Sequence, residues 1–144
     1  MLNAPHQIRK RVTRRRGAAL VEFAVVAPVL IIFVMGMLEI GRAVMATEVL
    51  AHAARIGARE GSITTGTTSS VTSAVNDLLT AAGINGATVS VKVNGGSTEV
   101  GSAKAGDEIA VSVTVPYANV TWIGNPKYLA GKNLSGRCVM RREG

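Results

Sequence analysis

The residues best placed to do chemistry sit in one junction, RRRGAALVEF, Arg14 to Phe23. Three arginines run into Gly17, and a lone carboxylate, Glu22, follows inside an otherwise apolar run. One chemistry that fits is hydrolysis of the bond between Gly17 and Ala18 by a second protein, because a residue with no side chain lets an extended backbone enter a protease cleft unobstructed. Arg14, Arg15 and Arg16 resist translocation and would hold that bond at the cytoplasmic face of a membrane. The other chemistry is ion pairing. Cleavage would delete the basic leader and leave a positive α-amino group on Ala18, one helical turn before Glu22. An acid at the centre of a membrane helix costs about 2.5 to 3.5 kcal/mol on insertion scales, and less near an end. Glu22 must therefore find a cation or reach the headgroups, and on the residues alone either outcome satisfies it.

The remaining polar residues build no catalytic set. Glu39 and Arg42 stand one helical turn apart and can pair for about 0.2 to 0.5 kcal/mol, and they are read as markers of the outer membrane boundary. His52 follows Glu48 by one turn, but no second histidine lies nearby, so it is read as packed or solvated. Asp107 and Glu108 adjoin each other in a predicted strand and point to opposite faces, which removes a shared acid–base role and leaves them as strand-entry charges. No serine stands in a G-x-S-x-G setting, and there is no phosphate-binding glycine motif. Tyr117, Trp122 and Tyr128 are expected to anchor the C-terminal core rather than to form a recognition surface. Cys138 is the single cysteine, so no intrachain disulfide exists, and it is expected to be unreactive and partly buried. The sequence thus predicts a protein that is not an enzyme, with no cofactor, no metal site and no small-molecule substrate.

A few elements must position these residues. Ala18 to Leu38 is a run of 21 residues with a single charge, and about 20 apolar residues span a bilayer as a helix. Backbone groups in lipid must be satisfied within the segment, so the span is an α-helix, which Pro28 is expected to bend or loosen. The helix is expected to continue through EIGRAVMATEVLAHAARIGAREG with Met45, Val49, His52 and Ile56 on one stripe. Ala46, Ala51, Ala53, Ala54, Gly57 and Ala58 leave a thin surface that another helix or a sheet can approach closely. Gly61 and the tract Ser62 to Ser70 end the helix, and that tract closes on the N-cap of a short amphipathic helix over residues 71–82, stopped by Gly83. Val89, Val91 and Val93, then Ile109, Val111, Val113 and Val115, alternate with small or polar residues as two half-buried strands, and Gly136 to Arg141 is a third. The predicted fold class is α+β: a long N-terminal transmembrane helix, one short helix and a small antiparallel sheet of about three strands. Its segments are a basic leader, 1–17, a membrane helix, 18–42, a periplasmic helix extension, 43–61, and a small extracytoplasmic domain, 62–144.

The net charge of +7 first suggests nucleic acid, but residues 1–17 hold six of the basic groups and no acid, leaving ten basic against nine acidic groups in the rest. A basic terminus beside an apolar run is a topology signal, and a nearly neutral body predicts no nucleic-acid partner.

Arg14 to Gly61 resembles the TadE-like subgroup of tight-adherence pilins, sharply over that stretch and only in general terms beyond it. The junction is similar to a type IV prepilin processing site, in which a basic leader ends in Gly17, Ala18 opens the mature chain and Glu22 is its fifth residue. Phe23 after Glu22 resembles the Glu-aromatic pair of these pilins, and Leu20 to Ala43 and Ala51 to Gly61 carry the rest. The resemblance implies cleavage by a membrane-embedded prepilin peptidase, and a Glu22 that pairs with the N-terminal amine of a neighbouring subunit as an assembly register. A body of more than 100 residues after the leader implies a minor pilin, or pilus assembly protein, rather than the helix-only major pilin. Its implied partners are other pilins, assembly-platform proteins and inner-membrane lipid, and its implied place is the bacterial inner membrane, N-terminus cytoplasmic and C-terminal domain periplasmic, with entry into the extracellular fibre left open. The rival expectation is a secreted or membrane-anchored binding domain, with an ordinary signal peptide cut at Gly41-Arg42-Ala43 or Ala51-His52-Ala53, or with an uncleaved anchor. The apolar run exceeds the usual signal-peptide core of about 7 to 15 residues, and the rival gives Gly17 and Glu22 no purpose.

Overall fold

The computed structural model describes the backbone of residues 8–122 and 131–144, with side chains from residue 17 onward. The side chains of Arg14, Arg15 and Arg16, and all of Tyr128, lie outside the described residues. The chain divides into two compact units between Leu38 and Glu39, and helix α1, Ile8–Ser62, contributes to both.

In the first unit α1 is unbroken through Pro28. Leu20, Phe23 and Ile32 are 69%, 69% and 72% exposed, so this part of the helix carries large apolar groups with no protein cover. A contiguous apolar surface of that kind is unfavourable in water at roughly 25 cal/mol per Å² and is satisfied by lipid. Residues from Gly17 onward include a stretch long and apolar enough to cross a membrane, none of it buried.

The second unit, Glu39–Gly144, contains the later turns of α1, helix α2 (Thr68–Ala81) and an antiparallel sheet of β1 (Thr88–Val93), β2 (Glu108–Pro116) and β3 (Asn133–Arg141) in the order β1-β2-β3. This is the expected α+β arrangement. Helix α2 starts earlier than its apolar period, because Thr67 caps it: the Thr67 hydroxyl accepts from the Ser70 amide, and the Ser70 hydroxyl accepts from the Thr67 amide, at 3.1 Å each. It stops at Gly83, which takes φ +70 while Ile84 N–H closes on Leu79 O at 2.9 Å. Strand β3 also starts earlier than predicted. Pairing of Asn133 with Pro116 and of Leu134 with Val115 extends it, and the alternation Asn133-Leu134-Ser135, broken at Gly136, is too short to reveal this.

The core is made by Leu50 of α1, Val71 and Val75 of α2, Val100, and Ile109, Val111, Val113 and Val115 of β2, all fully buried. Against them α1 turns its small residues: Ala46, Ala53, Ala54, Gly57 and Ala58 are buried, whereas Met45 is 67% exposed and His52 is also exposed. The thin surface is therefore filled by the chain's own sheet and α2. Contact is close enough that a methyl at Gly136 of β3 would overlap the backbone of Leu50 and Ala51, and one at Gly57 would lie 2.6 Å from Val75 Cγ2. Bulk at these small positions would push the elements apart, so apart from Leu50 the residues α1 buries in the core are small.

Candidate functional site

Gly17 and Ala18 are helical residues of α1, and no atom lies within 4 Å of where a Gly17 side chain would begin. Ala18, Glu22 and Phe23 are all exposed, with Ala18 and Glu22 one turn apart. Among the described residues, these side chains stand on the open surface of the helix.

The second polar cluster escapes sequence reasoning. Glu39, 9% exposed, accepts a hydrogen bond from the Tyr117 hydroxyl at 2.8 Å and is also hydrogen-bonded by the Thr121 side chain and the Trp122 backbone. One turn on, Arg42 donates through Nε to Val120 O and lays its guanidinium over the Trp122 ring, 4.6 Å from the centroid. Both residues thus grip the segment Tyr117–Trp122, rather than only marking a boundary as expected. Pro116 ends β2, a single 3-10 turn over Tyr117–Asn119 follows, and Tyr117 N–H donates to Lys132 O at 2.9 Å, which fixes the ring. Burial, reinforced by the hydrogen bond to Glu39 and the Glu39 charge, pushes the Tyr117 phenol up to about 12. Tyr117 is a core anchor as predicted. Trp122 is not: it is 74% exposed, because its neighbours hold the backbone and one ring face only. The single clue in the sequence was a carboxylate and an arginine where an apolar run ends; no periodicity links Glu39 to a tyrosine 78 positions away.

Arg142 was also missed. Its buried guanidinium donates to Val100 O at 2.8 Å, Thr64 O at 2.7 Å, Gly61 O at 3.3 Å and Gly66 O at 3.5 Å. These carbonyls belong to the end of α1 and to two loops, so one side chain holds three segments.

Asp107 stands just before β2, where a strand-entry charge was expected, and it also locks the turn there: Oδ1 accepts from Asn94 Nδ2 at 2.9 Å and Oδ2 from Lys104 N–H at 2.7 Å. Those two hydrogen bonds, the Asn94 one foremost, hold its carboxyl below the usual range. Glu99 is likewise lowered, by the backbone and then the side chain of Thr68, whose N–H it accepts at 2.8 Å. Cys138 is half-buried opposite Val111.

Taken together, these elements define a class: a subunit with one N-terminal helix apolar enough to cross a membrane, whose later turns form one wall of a small α+β domain. Residues 17–59 match the model of the TadE family, described as TadE-like protein. The match opens at the junction glycine and closes within α1, it links the chain to proteins of the tight-adherence pilus, and it fits a membrane-anchored protein. No curated protein and no solved structure matches the chain.

Proposed function

We propose that the chain is a minor pilin of a tight-adherence pilus, cleaved after Gly17 by a prepilin peptidase and acting by binding rather than by catalysis. In this reading the mature N-terminus at Ala18 and the carboxylate of Glu22 are the two halves of an ionic register between subunits, with Phe23 packing beside it. The domain faces the periplasm, and other pilins and assembly-platform proteins are its partners. The observation that carries the reading is a coincidence of position: the TadE-like match begins at Gly17, where the basic leader gives way to the apolar run.

The test is the intact mass of the membrane-extracted protein from cells that hold the peptidase. The wild-type chain should begin at Ala18, and Gly17→Leu should accumulate as a full-length precursor. Identical processing of the two removes the proposal. One observation favours a second reading, an uncleaved anchor: α1 is continuous from Ile8 through Gly17, so a protease would have to unwind it. That reading requires a wild-type chain beginning at Met1.

A further inference from the structure

Among the described residues of the second unit, six large apolar side chains are exposed: Ile40, Val44, Met45, Ile56, Trp122 and Val139. Singly scattered groups of this kind are ordinary, but four of these six lie at one level of the helix axis, on different sides of it. Ile40, Val44 and Met45 lie in the first turns of α1 past Leu38, and Trp122 is brought to the same level by its contact with Arg42, 4.6 Å from guanidinium to ring centroid. At 74% exposed, the Trp122 ring contributes little to the core, although it is one of the largest apolar surfaces in the domain.

Helix geometry gives that level a meaning. At 1.5 Å per residue, Ala18 to Leu38 is about 31 Å long, the thickness of a bilayer's hydrocarbon core. The headgroup layer on each side is about 5 to 7 Å deep, and Arg42 lies about 6 Å beyond Leu38 along the helix. An indole with an apolar body and one N–H, beside a guanidinium, is the chemistry that partitions into that layer. The ring needs little ordering on arrival, because Glu39 and Arg42 already tie Tyr117 and Val120 to α1.

We propose that Trp122 is a headgroup anchor: carried on Arg42, its indole seats in the phospholipid headgroup layer at the Leu38 end of the span and, with Ile40, Val44 and Met45, sets the height of the domain at the membrane. The proposal rests on α1 crossing a bilayer, and the experiment separates the two claims. Trp122 is the only tryptophan, so its fluorescence reports on itself. The full chain is reconstituted into phosphatidylcholine–phosphatidylglycerol vesicles, floated on a density gradient, and probed with lipids brominated near the headgroup, lipids brominated near the chain end, and aqueous iodide. The expected result is flotation, blue-shifted emission, stronger quenching by the headgroup-side label than by the chain-end label, and iodide quenching severalfold weaker than for free tryptophan. A Phe33→Trp, Trp122→Phe chain calibrates depth and should show the reverse order of the two lipid labels. If the chain floats but Trp122 emits as in water and iodide quenches it fully, the anchor is overturned while the span stands. If it floats and Trp122 is shielded from both lipid labels and iodide, a second copy of the protein covers the ring and the lipid assignment is overturned. A chain that does not float overturns the span and the anchor together.

Discussion

Arg142 shows what one buried charge contributes when its guanidinium is held by backbone carbonyls. Hydrogen bonds from a charged group are worth about 1.5 to 3 kcal/mol each, though not additively, so Arg142→Met, which leaves buried carbonyls unpaired, should lower unfolding stability by about 1 to 3 kcal/mol. Arg142→Lys should recover little of that, since one ammonium cannot span the carbonyls reached by a guanidinium fork. Denaturant titration of the detergent-solubilised chain measures both, and a Met variant as stable as wild type would remove the staple. Tyr117 gives a second, pH-resolved expectation. Its phenol is raised from 10.0 to about 12 in the folded chain, and a raised pKa contributes stability that is complete below the unfolded value and is lost as pH climbs through the folded one. Stability should therefore hold to about pH 10 and fall between about 10 and 12. Ultraviolet titration should show a phenolate step near the upper end of that window, and Tyr117→Phe should abolish it.

Helices and strands are governed here by how closely backbones approach, and three glycines, two in α1 and one in β3, test the point. A methyl at Gly41 of α1 meets nothing within 4 Å, at Gly57 it meets Val75 Cγ2 at 2.6 Å, and at Gly136 of β3 it meets helix backbone that cannot move aside. Gly41→Ala should be neutral or stabilising by up to about 1 kcal/mol. Gly57→Ala should cost about 1 to 3 kcal/mol, and Gly136→Ala more than that, in the same denaturant assay; any other rank order contradicts the packing. The connections obey electrostatics instead. Asp107 and Glu99 have lowered folded pKa values, so their contribution is present above the ordinary carboxyl range, near pH 4, and is lost as pH falls through the folded values. Asp107→Asn should flatten the acid limb of the stability curve. Elements with a period were legible in the sequence: the valines of β1 and β2 and the Val71, Val75, Leu79 face of α2 all point inward as their spacing requires. What was not legible depended on partners remote in the chain. Strand β3 could not be delimited without β2, and α1's buried face could not be chosen over the Met45 stripe without knowing that a glycine of β3 would cross it.

In the proposed reading the whole chain joins two solvents, and its charges are divided to match. Six Lys and Arg precede the apolar run, whereas within about 20 residues beyond Leu38 only Arg42 and Arg55 occur. That division was readable from composition alone. The Glu39 and Arg42 clamp was not, since its partners Tyr117 and Val120 each lie 78 positions on in the chain and charge counting treats Arg42 as one cation more. Orientation depends on the bias in Lys and Arg near the ends of a span, so it can be titrated by mutation. Replacing Arg14, Arg15 and Arg16 by glutamine leaves three cations against two, close to balance, and should divide the population between both orientations. Replacing all six leaves none against two and should invert it. A C-terminal alkaline phosphatase fusion, active only outside the cytoplasm, reads this as a partial and then a nearly complete loss of activity at constant protein level. Undiminished activity in the sixfold variant would show that the basic terminus does not set orientation, and its arginines would then need another partner.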